Sequence, residues 1–267
     1  MLSLMLGTSR RRGDSWRWTQ EGVANHASAM TAYFVTGTDT NVGKTTLACA
    51  LLAAAARAGL RGIGMKPAES GCPSSATGEL IPIDAEALRK VSSIPLPLSQ
   101  TCLYRFAEPL APGVAADRNH TIIDVDLIGQ AFARIQALSP DLLLVEGAGG
   151  LLVPFGDGIL AVDIAQRLEL PLIIVARPDL GTINHTLLTL EAAASRGLTI
   201  AGLAFSCTRP DIATDFIASN ISEIRKIRWV PFLGVLPVVE PLETNTLATA
   251  GEPLLRTLLD PHRLQRS

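Results

Sequence analysis

The chain has 267 residues, is 48% hydrophobic and carries a formal net charge of −2, so it can build one large α/β domain or two small ones around a well-filled core. The absence of a basic excess argues against nucleic acid or an anionic membrane as partner, and 7 Phe, 3 Trp and 2 Tyr, scattered along the chain, do not make a base-stacking surface. No apolar run approaches the ~20 residues of a membrane span; the longest, Leu47 to Ala56, is closed by Arg57. Cys49, Cys72, Cys102 and Cys207 form no C-x-x-C pair, which suits free thiols in a reducing cytoplasm.

Residues 1–29 differ from the rest of the chain. Arg10, Arg11, Arg12 and Arg17 cluster with Ser and Trp, and no hydrophobic period persists. Leu2-Ser3-Leu4-Met5-Leu6 is too short for a secretory signal and lies on the wrong side of the arginines. The stretch reads as a disordered extension, or as sequence upstream of a true start at Met30, in preference to an organellar transit peptide. A single domain is expected over 30–267.

From Ala32 onward, strand-like runs alternate with helical patterns. Strands are expected over 32–36, 61–66, 142–146, 172–176, 199–205 and 232–236. Helices are expected over 44–58, 84–91, 124–138, 159–168, 183–196, 211–224 and, as the weakest pattern, 251–260. Leu142-Leu143-Leu144-Val145 and Leu172-Ile173-Ile174-Val175 are unbroken apolar runs, as in parallel strands buried on both faces. Gly59 and Gly197 stop helices, and Pro171 precedes a strand. Residues 67–83 and 92–123 read as loops. The fold class is α/β, a doubly wound, mainly parallel sheet of P-loop type with helices on both faces.

The first strand runs into Gly37-Thr38-Asp39-Thr40-Asn41-Val42-Gly43-Lys44-Thr45-Thr46 and then a helix. Strand, glycine-bounded turn and helix start make a phosphate cradle. Backbone N–H groups point at an anion, Lys44 brings a positive charge, and the Thr45 hydroxyl is placed for a phosphate-bound Mg²⁺. This is a nucleoside-triphosphate site. In an open parallel sheet, ligands sit outside the carboxyl ends of the strands. Polar and glycine residues collect at those ends, at 37–46, 66–71, 146–150, 177–184 and 206–207, so five distant segments are expected along one rim.

Other candidates have a plainer reading beside the functional one. Glu146 closes an apolar strand before Gly147-Ala148-Gly149-Gly150; beside a P-loop it suits Mg²⁺ better than capping. Asp84 reads from spacing as a helix N-cap. Lys66, extended by Pro67, either projects toward the rim, where it can neutralise a phosphoryl group, or is a solvated strand-end lysine. Asp163 reads as solvent-facing or paired with Arg167 at i+4. His185 has no companion ligand for zinc.

Taken together, Tyr33-Phe-Val-Thr-Gly-Thr-Asp-Thr-Asn-Val-Gly-Lys-Thr45, Lys66-Pro-Ala-Glu-Ser-Gly71, Asp84-Ala85, Phe106-Ala-Glu-Pro109, Val145-Glu-Gly-Ala-Gly-Gly150 and Leu180-Gly-Thr-Ile-Asn-His185 resemble the dethiobiotin synthetases. The resemblance spans about Met30 to Pro237. It implies carboxylation of 7,8-diaminopelargonate with CO₂, phosphorylation of the carbamate by ATP, and closure of a cyclic urea with loss of phosphate. It further implies that Asn41, Val42, Gly43, Lys44, Thr45 and Thr46 hold the phosphates, and that Thr45, Asp84 and Glu146 hold Mg²⁺, which reverses the spacing-based reading of Asp84. Lys66, Lys44 and Thr40 become catalytic candidates. Gly147, Ala148, Gly149, Ser206, Cys207 and Pro237 join the nucleotide site, and Thr40 and Ser70 place the substrate. The family is a homodimer in which the substrate carboxylate is held by the partner subunit, here at Gly181, Thr182, Ile183 and Asn184. No nucleic acid or membrane partner is implied.

This chain departs from the family at three points. Asn41 stands where an acid is frequent. Ser206-Cys207 replaces an Asn-Asp pair that reads adenine, and a hydroxyl cannot pair with a base edge as an amide does. Gly37 is one residue further from Gly43-Lys44 than in G-x-x-x-x-G-K-[ST], a spacing the family shares. Looser base selection is therefore expected. The competing classes are a partitioning-type switch ATPase, which carries a lysine where this chain has Asp39, and a cobyrinate-type amidotransferase, for whose glutaminase domain there is no room.

Overall fold

The computed structural model describes residues 31–210 and 213–260, so the expectations for 1–29 and for the first two residues of the 211–224 helix lie outside the described residues. In chain order, β1 (Thr31–Gly37) and α1 (Lys44–Arg57) are followed by β2 (Gly62–Met65), β3 (Ala68–Ser70) and α2 (Ile83–Val91). Next come α3 (Leu98–Thr101), β4 (Tyr104–Phe106), α4 (Pro112–Arg118) and α5 (Val125–Gln136). The second half runs β5 (Leu142–Gly150), β6 (Pro154–Gly156), β7 (Ile159–Leu160), α6 (Ala161–Arg167), β8 (Leu172–Ala176) and α7 (Thr182–Ala194). It ends with β9 (Ile200–Ser206), α8 (Thr214–Ile227), β10 (Phe232–Leu236) and α9 (Thr244–Leu259). Among the described residues no helix is long and apolar enough to cross a membrane.

The six expected strands form one sheet in the order β10-β9-β8-β1-β5-β2, every pairing parallel. Alternation along each strand divides its side chains between two cores. Phe34, Leu143, Val145 and Ile174 face the layer that includes Ile128 of α5 and Ile164 of α6, while Tyr33, Val35, Leu144 and Ile173 face α1 and α9. Both faces are dry, which is why these strands read as continuous apolar runs. Helix α1 is buried from Leu47 through Ala55, held between sheet and α9, so it shows no polar face. Its small side chains permit close approach: a Cβ added at Gly251 of α9 would lie 2.1 Å from the Ala50 carbonyl oxygen.

Several boundaries differ from the expectation, each for a physical reason. The stretches read as loops hold β3, α3, β4 and α4, elements of three to seven residues that are too short to show a period. Strand β5 continues four residues past Glu146, because Gly149, at φ 60, carries the strand through a register shift and Gly150 pairs with Gly37 of β1. Helix α9 begins at Thr244, seven residues before the expected start; Gly251 and Pro253 inside it mask its pattern. Helix α6 starts at Ala161, since Ile159 and Leu160 pair with β6 instead.

Candidate active site

The carboxyl ends of the sheet strands line up as the topology requires. From one side to the other the rim carries Pro237 after β10, Ser206 ending β9, Arg177 after β8, the loop after β1, Glu146 within β5 and Lys66 after β2.

The loop between β1 and α1 is shaped by backbone that few residues tolerate. Gly43 has φ 88, and a Cβ there would fall 2.2 Å from Ser206 Oγ, so side-chain-free backbone is needed on both counts. Asn41 is also left-handed, φ 56, a conformation that Asn accepts more readily than most side chains do. Lys44 is buried, and its Nζ donates to the Asp39 carbonyl at 3.2 Å. Burial, opposed by Glu146 and reinforced by Lys66, brings the Lys44 ammonium down to about 8. Thr46 is half-buried in the first turn of α1, and Val42 is fully packed.

Four sequence-distant residues meet beside this loop. Lys66 Nζ donates to Glu146 Oε1 at 2.6 Å, to Asp84 Oδ2 at 2.9 Å and to the Gly147 carbonyl at 3.2 Å. Thr45 Oγ1 donates to the same Glu146 oxygen at 2.8 Å. Lys66 is therefore not a solvated strand-end lysine; it is 3% exposed and turned inward. Burial alone would lower its pKa, but the charges of Glu146 and Asp84 more than offset that and hold it above the ordinary lysine value. Asp84 is half-buried; burial works against its ionisation, yet the Lys66 charge and hydrogen bond hold its carboxyl below the usual range. The other Glu146 oxygen, Oε2, is buried with no hydrogen-bond partner.

Asp84 is not the N-cap of α2. That position is Pro82, which offers no side-chain acceptor. The helix start is capped from β3 instead: Glu69 Oε1 accepts the Asp84 N–H and Oε2 the Ala85 N–H, both at 2.9 Å. Burial, the larger influence, pushes the Glu69 carboxyl up, while the two amide donors work the other way. Glu69 escapes a reading of the sequence because a single acid in a three-residue strand carries no pattern. Its one signal is a helix opening on Pro-Ile-Asp with no Ser, Thr or Asn before it.

The remaining candidates fall in two places. Thr40 is exposed, with its Oγ1 3.4 Å from where a Gly149 Cβ would lie, and Gly147 gives room to the Phe34 ring. Ala148 and Gly149 are half-buried next to them. Ser70 donates its hydroxyl to the Leu110 carbonyl at 2.6 Å. On the far side of the loop, Ser206 is 2% exposed beneath Gly43, and the Cys207 N–H bonds the Leu236 carbonyl at 2.9 Å, bringing Cys207 beside Pro237. Gly181, Thr182, Ile183 and Asn184 open α7, with Gly181 at φ 93 and the Thr182 hydroxyl buried without a partner. Their hydrogen bonds do not reach the Lys66 cluster. Arg177 ties this side to the loop through an ion pair with Asp39 at 3.7 Å. Asp163 does not pair with Arg167: its carboxylate caps α6 by accepting the Leu160 N–H at 2.7 Å, and Arg167 pairs with Asp126.

A buried lysine held by two acids beside a phosphate loop can neutralise charge on a transferring phosphoryl group. Comparison with known proteins supplies the family. A family model described as an AAA domain matches residues 31–246. The ATP-dependent dethiobiotin synthetase of Anaeromyxobacter dehalogenans strain 2CP-C is 46% identical over 208 residues, 78% of this chain and 90% of that protein. That of Aromatoleum aromaticum is 43% identical over 219 residues, 82% and 96% of the two chains, and that of Chromohalobacter salexigens 40% over 232 residues, 85% and 98%. Among solved structures, the MinC:MinD cell division complex of Aquifex aeolicus aligns with a TM-score of 0.52 at 14% identity, covering 89% of this chain and 96% of that one. Chloroplast FtsY of Physcomitrella patens aligns at 0.50 and 12%, covering 87% and 68%. These two likenesses speak for a P-loop α/β fold and nothing finer. With the order of motifs, the rim geometry and relatives matched over most of their length, the chain belongs to the ATP-dependent dethiobiotin synthetases, enzymes of the ligase class.

Proposed function

We propose that the chain makes dethiobiotin from 7,8-diaminopelargonate and CO₂ through a phosphorylated carbamate. One amine attacks CO₂ and loses a proton, giving a carbamate. A carbamate oxygen takes the γ-phosphoryl group of ATP, releasing ADP. The second amine then attacks the carbamate carbon, phosphate leaves with the C–O electron pair, and the amine loses a proton as the cyclic urea closes. The observation that carries this reading is Lys66, a buried ammonium fixed between Glu146 and Asp84 at the phosphate end of the rim. It would face the negative charge of the carbamate and of the phosphoryl group in transit. Lys44 and the backbone of 41–46 would hold the triphosphate, with Gly147, Ala148 and Gly149 beside it, and Thr40 and Ser70 would orient the diamine.

The donor set suits Mg²⁺, a hard cation that takes oxygen ligands. Glu146 Oε2 is a buried carboxylate oxygen without a partner, next to the Thr45 hydroxyl and the Asp84 carboxylate. Thr45, Asp84 and Glu146 would hold the ion, which when bound neutralises triphosphate charge.

We assign the substrate carboxylate to Gly181, Thr182, Ile183 and Asn184 of a second copy of the chain. The start of α7 favours an anion, and Leu180 and Leu188 stand 95% and 61% exposed around it, which supports a homodimer across this edge. The unpaired cysteines suit work in the cytoplasm. Burial of Ser206 under Gly43 removes its hydroxyl from easy reach of a base, which supports loose base selection around Ser206, Cys207 and Pro237.

The test is dethiobiotin formation with diaminopelargonate, bicarbonate and a panel of triphosphates. ADP release should require both substrates, and CTP and GTP should replace ATP with losses of about tenfold or less. ADP release that needs neither substrate but rises with a protein partner or DNA would instead support a switch ATPase.

A further inference from the structure

Glu69 is 6% exposed and carries a carboxyl group into the protein. Both its oxygens are spent on α2, one on the N–H of Asp84 and one on that of Ala85. It lies three residues after Lys66 in the same short segment, and that segment is anchored by parallel pairing of β3 with β4. Asp84 is thus held twice from one stretch of chain, its backbone by Glu69 and its carboxylate by Lys66 Nζ at 2.9 Å. A helix start needs some acceptor, but any Ser or Asp at Pro82 would serve that end locally. An acceptor brought in from β3 does something more: it fixes the distance between the strand end that bears Lys66 and the helix turn that bears Asp84.

We infer that Glu69 is a positioning residue, which sets the Asp84 carboxylate in register with Lys66 and Thr45 by gripping the Asp84 and Ala85 amides in the first turn of its helix. The inference rests on the reading of Asp84 as a metal-holding residue. Glutamine at this position keeps shape and volume but has one acceptor oxygen, so its amide would point N–H at N–H toward one of the two helix amides. The two-point grip on the helix start would then be reduced to one hydrogen bond, and the turn that bears Asp84 would be free to pivot about it.

The experiment measures binding of a non-hydrolysable ATP analogue by calorimetry, with and without Mg²⁺, in wild type, Glu69→Gln, Asp84→Asn and the double variant. Glu69→Gln should cut the Mg²⁺-dependent gain in affinity by about tenfold, as loss of a ligand-orienting partner does, while metal-free affinity stays within about twofold of wild type. In the Asp84→Asn background, where the gain is already lost, Glu69→Gln should change nothing further. The inference is overturned if Glu69→Gln leaves the gain intact while Asp84→Asn abolishes it, or if its effect is the same size in both backgrounds, as a purely structural defect would be. A gain that survives Asp84→Asn would remove the metal reading of Asp84 and this inference with it. Should Glu69→Gln fail to fold, Glu69→Asp, one methylene short of both amides, is put through the same four-way comparison.

Discussion

At the scale of single residues, Lys66 shows how much a buried charge depends on its neighbours. Its side chain is 4% exposed, that of Glu146 fully enclosed, and they meet at 2.6 Å. Removing one member of such a pair strands the other. Lys66→Met should abolish dethiobiotin formation, a loss of about 10²-fold or more, and should also cost about 3–5 kcal/mol in urea unfolding, because Glu146 stays buried without its cation. Adding Glu146→Gln should return much of the stability and none of the turnover. Stability unchanged in Lys66→Met would mean that water reaches Glu146. The cysteines give a second test at this scale. Burial pushes Cys72 up to about 11, Cys102 up to about 12 and Cys49 higher still, whereas Cys207, also raised by burial, is only half-buried and follows β9 at the rim proposed for the nucleotide. Only thiolate reacts, so alkylation of Cys207 should be slow at neutral pH and accelerate as pH rises toward its raised pKa. A maleimide should add once per native chain, and ATP should protect that site. Equal labelling with and without ATP would move the base away from Cys207.

At the scale of elements, the contact between α1 and α9 packs the helix that follows the phosphate loop into the core. Arg57 at the end of α1 donates to the Ala248 carbonyl and pairs with Glu252, and Gly251 lets the helix backbones touch between them. Gly251→Ala places a methyl group against the Ala50 carbonyl. It should destabilise the chain by about 1–3 kcal/mol by overpacking, despite the better helix propensity of Ala, and a rise in the urea midpoint would refute the close contact. This pair of helices also marks where sequence reading succeeds and fails. The sheet strands are legible because burial on both faces leaves an unbroken apolar run that little else produces. The glycine-bounded loop is legible because its backbone geometry demands those residues. Helix α9 is only half legible, since Gly251 and Pro253 answer to packing on α1 and not to helix propensity. Among site residues, Lys66 and Glu146 can be named from strand ends, but the inward turn of Lys66 needs its partners in space. Spacing misplaces Asp84 as a cap because its helix is capped by Glu69, fifteen residues away, and no local pattern encodes that.

At the scale of the whole molecule, the proposal that two copies share a substrate site makes a mixing prediction. A Lys44→Gln chain and an Asn184→Ala chain, each inactive alone, should regain about a quarter of wild-type activity after random reassortment, since each mixed dimer holds one intact site. No recovery in dimers shown to be mixed would place the carboxylate within one chain.

The first strand among the described residues is also an inner strand of the sheet. Phe34 of β1 pairs with Val145 of β5 on one side and Leu172 of β8 on the other. The element that carries the phosphate loop therefore precedes both of its neighbours by a long stretch of chain, gaining β5 first and β8 only after about half of the chain has followed it. Until β5 is made, Tyr33, Phe34 and Val35 have no strand to pair with, and such long-range parallel pairing is slow to form and open to aggregation. Folding should accordingly be late around β1: a ribosome-bound chain ending before β8 should fail to bind ATP, and nucleotide binding should appear only once β9, β10 and α9, which pack on the loop and on α1, have left the exit tunnel.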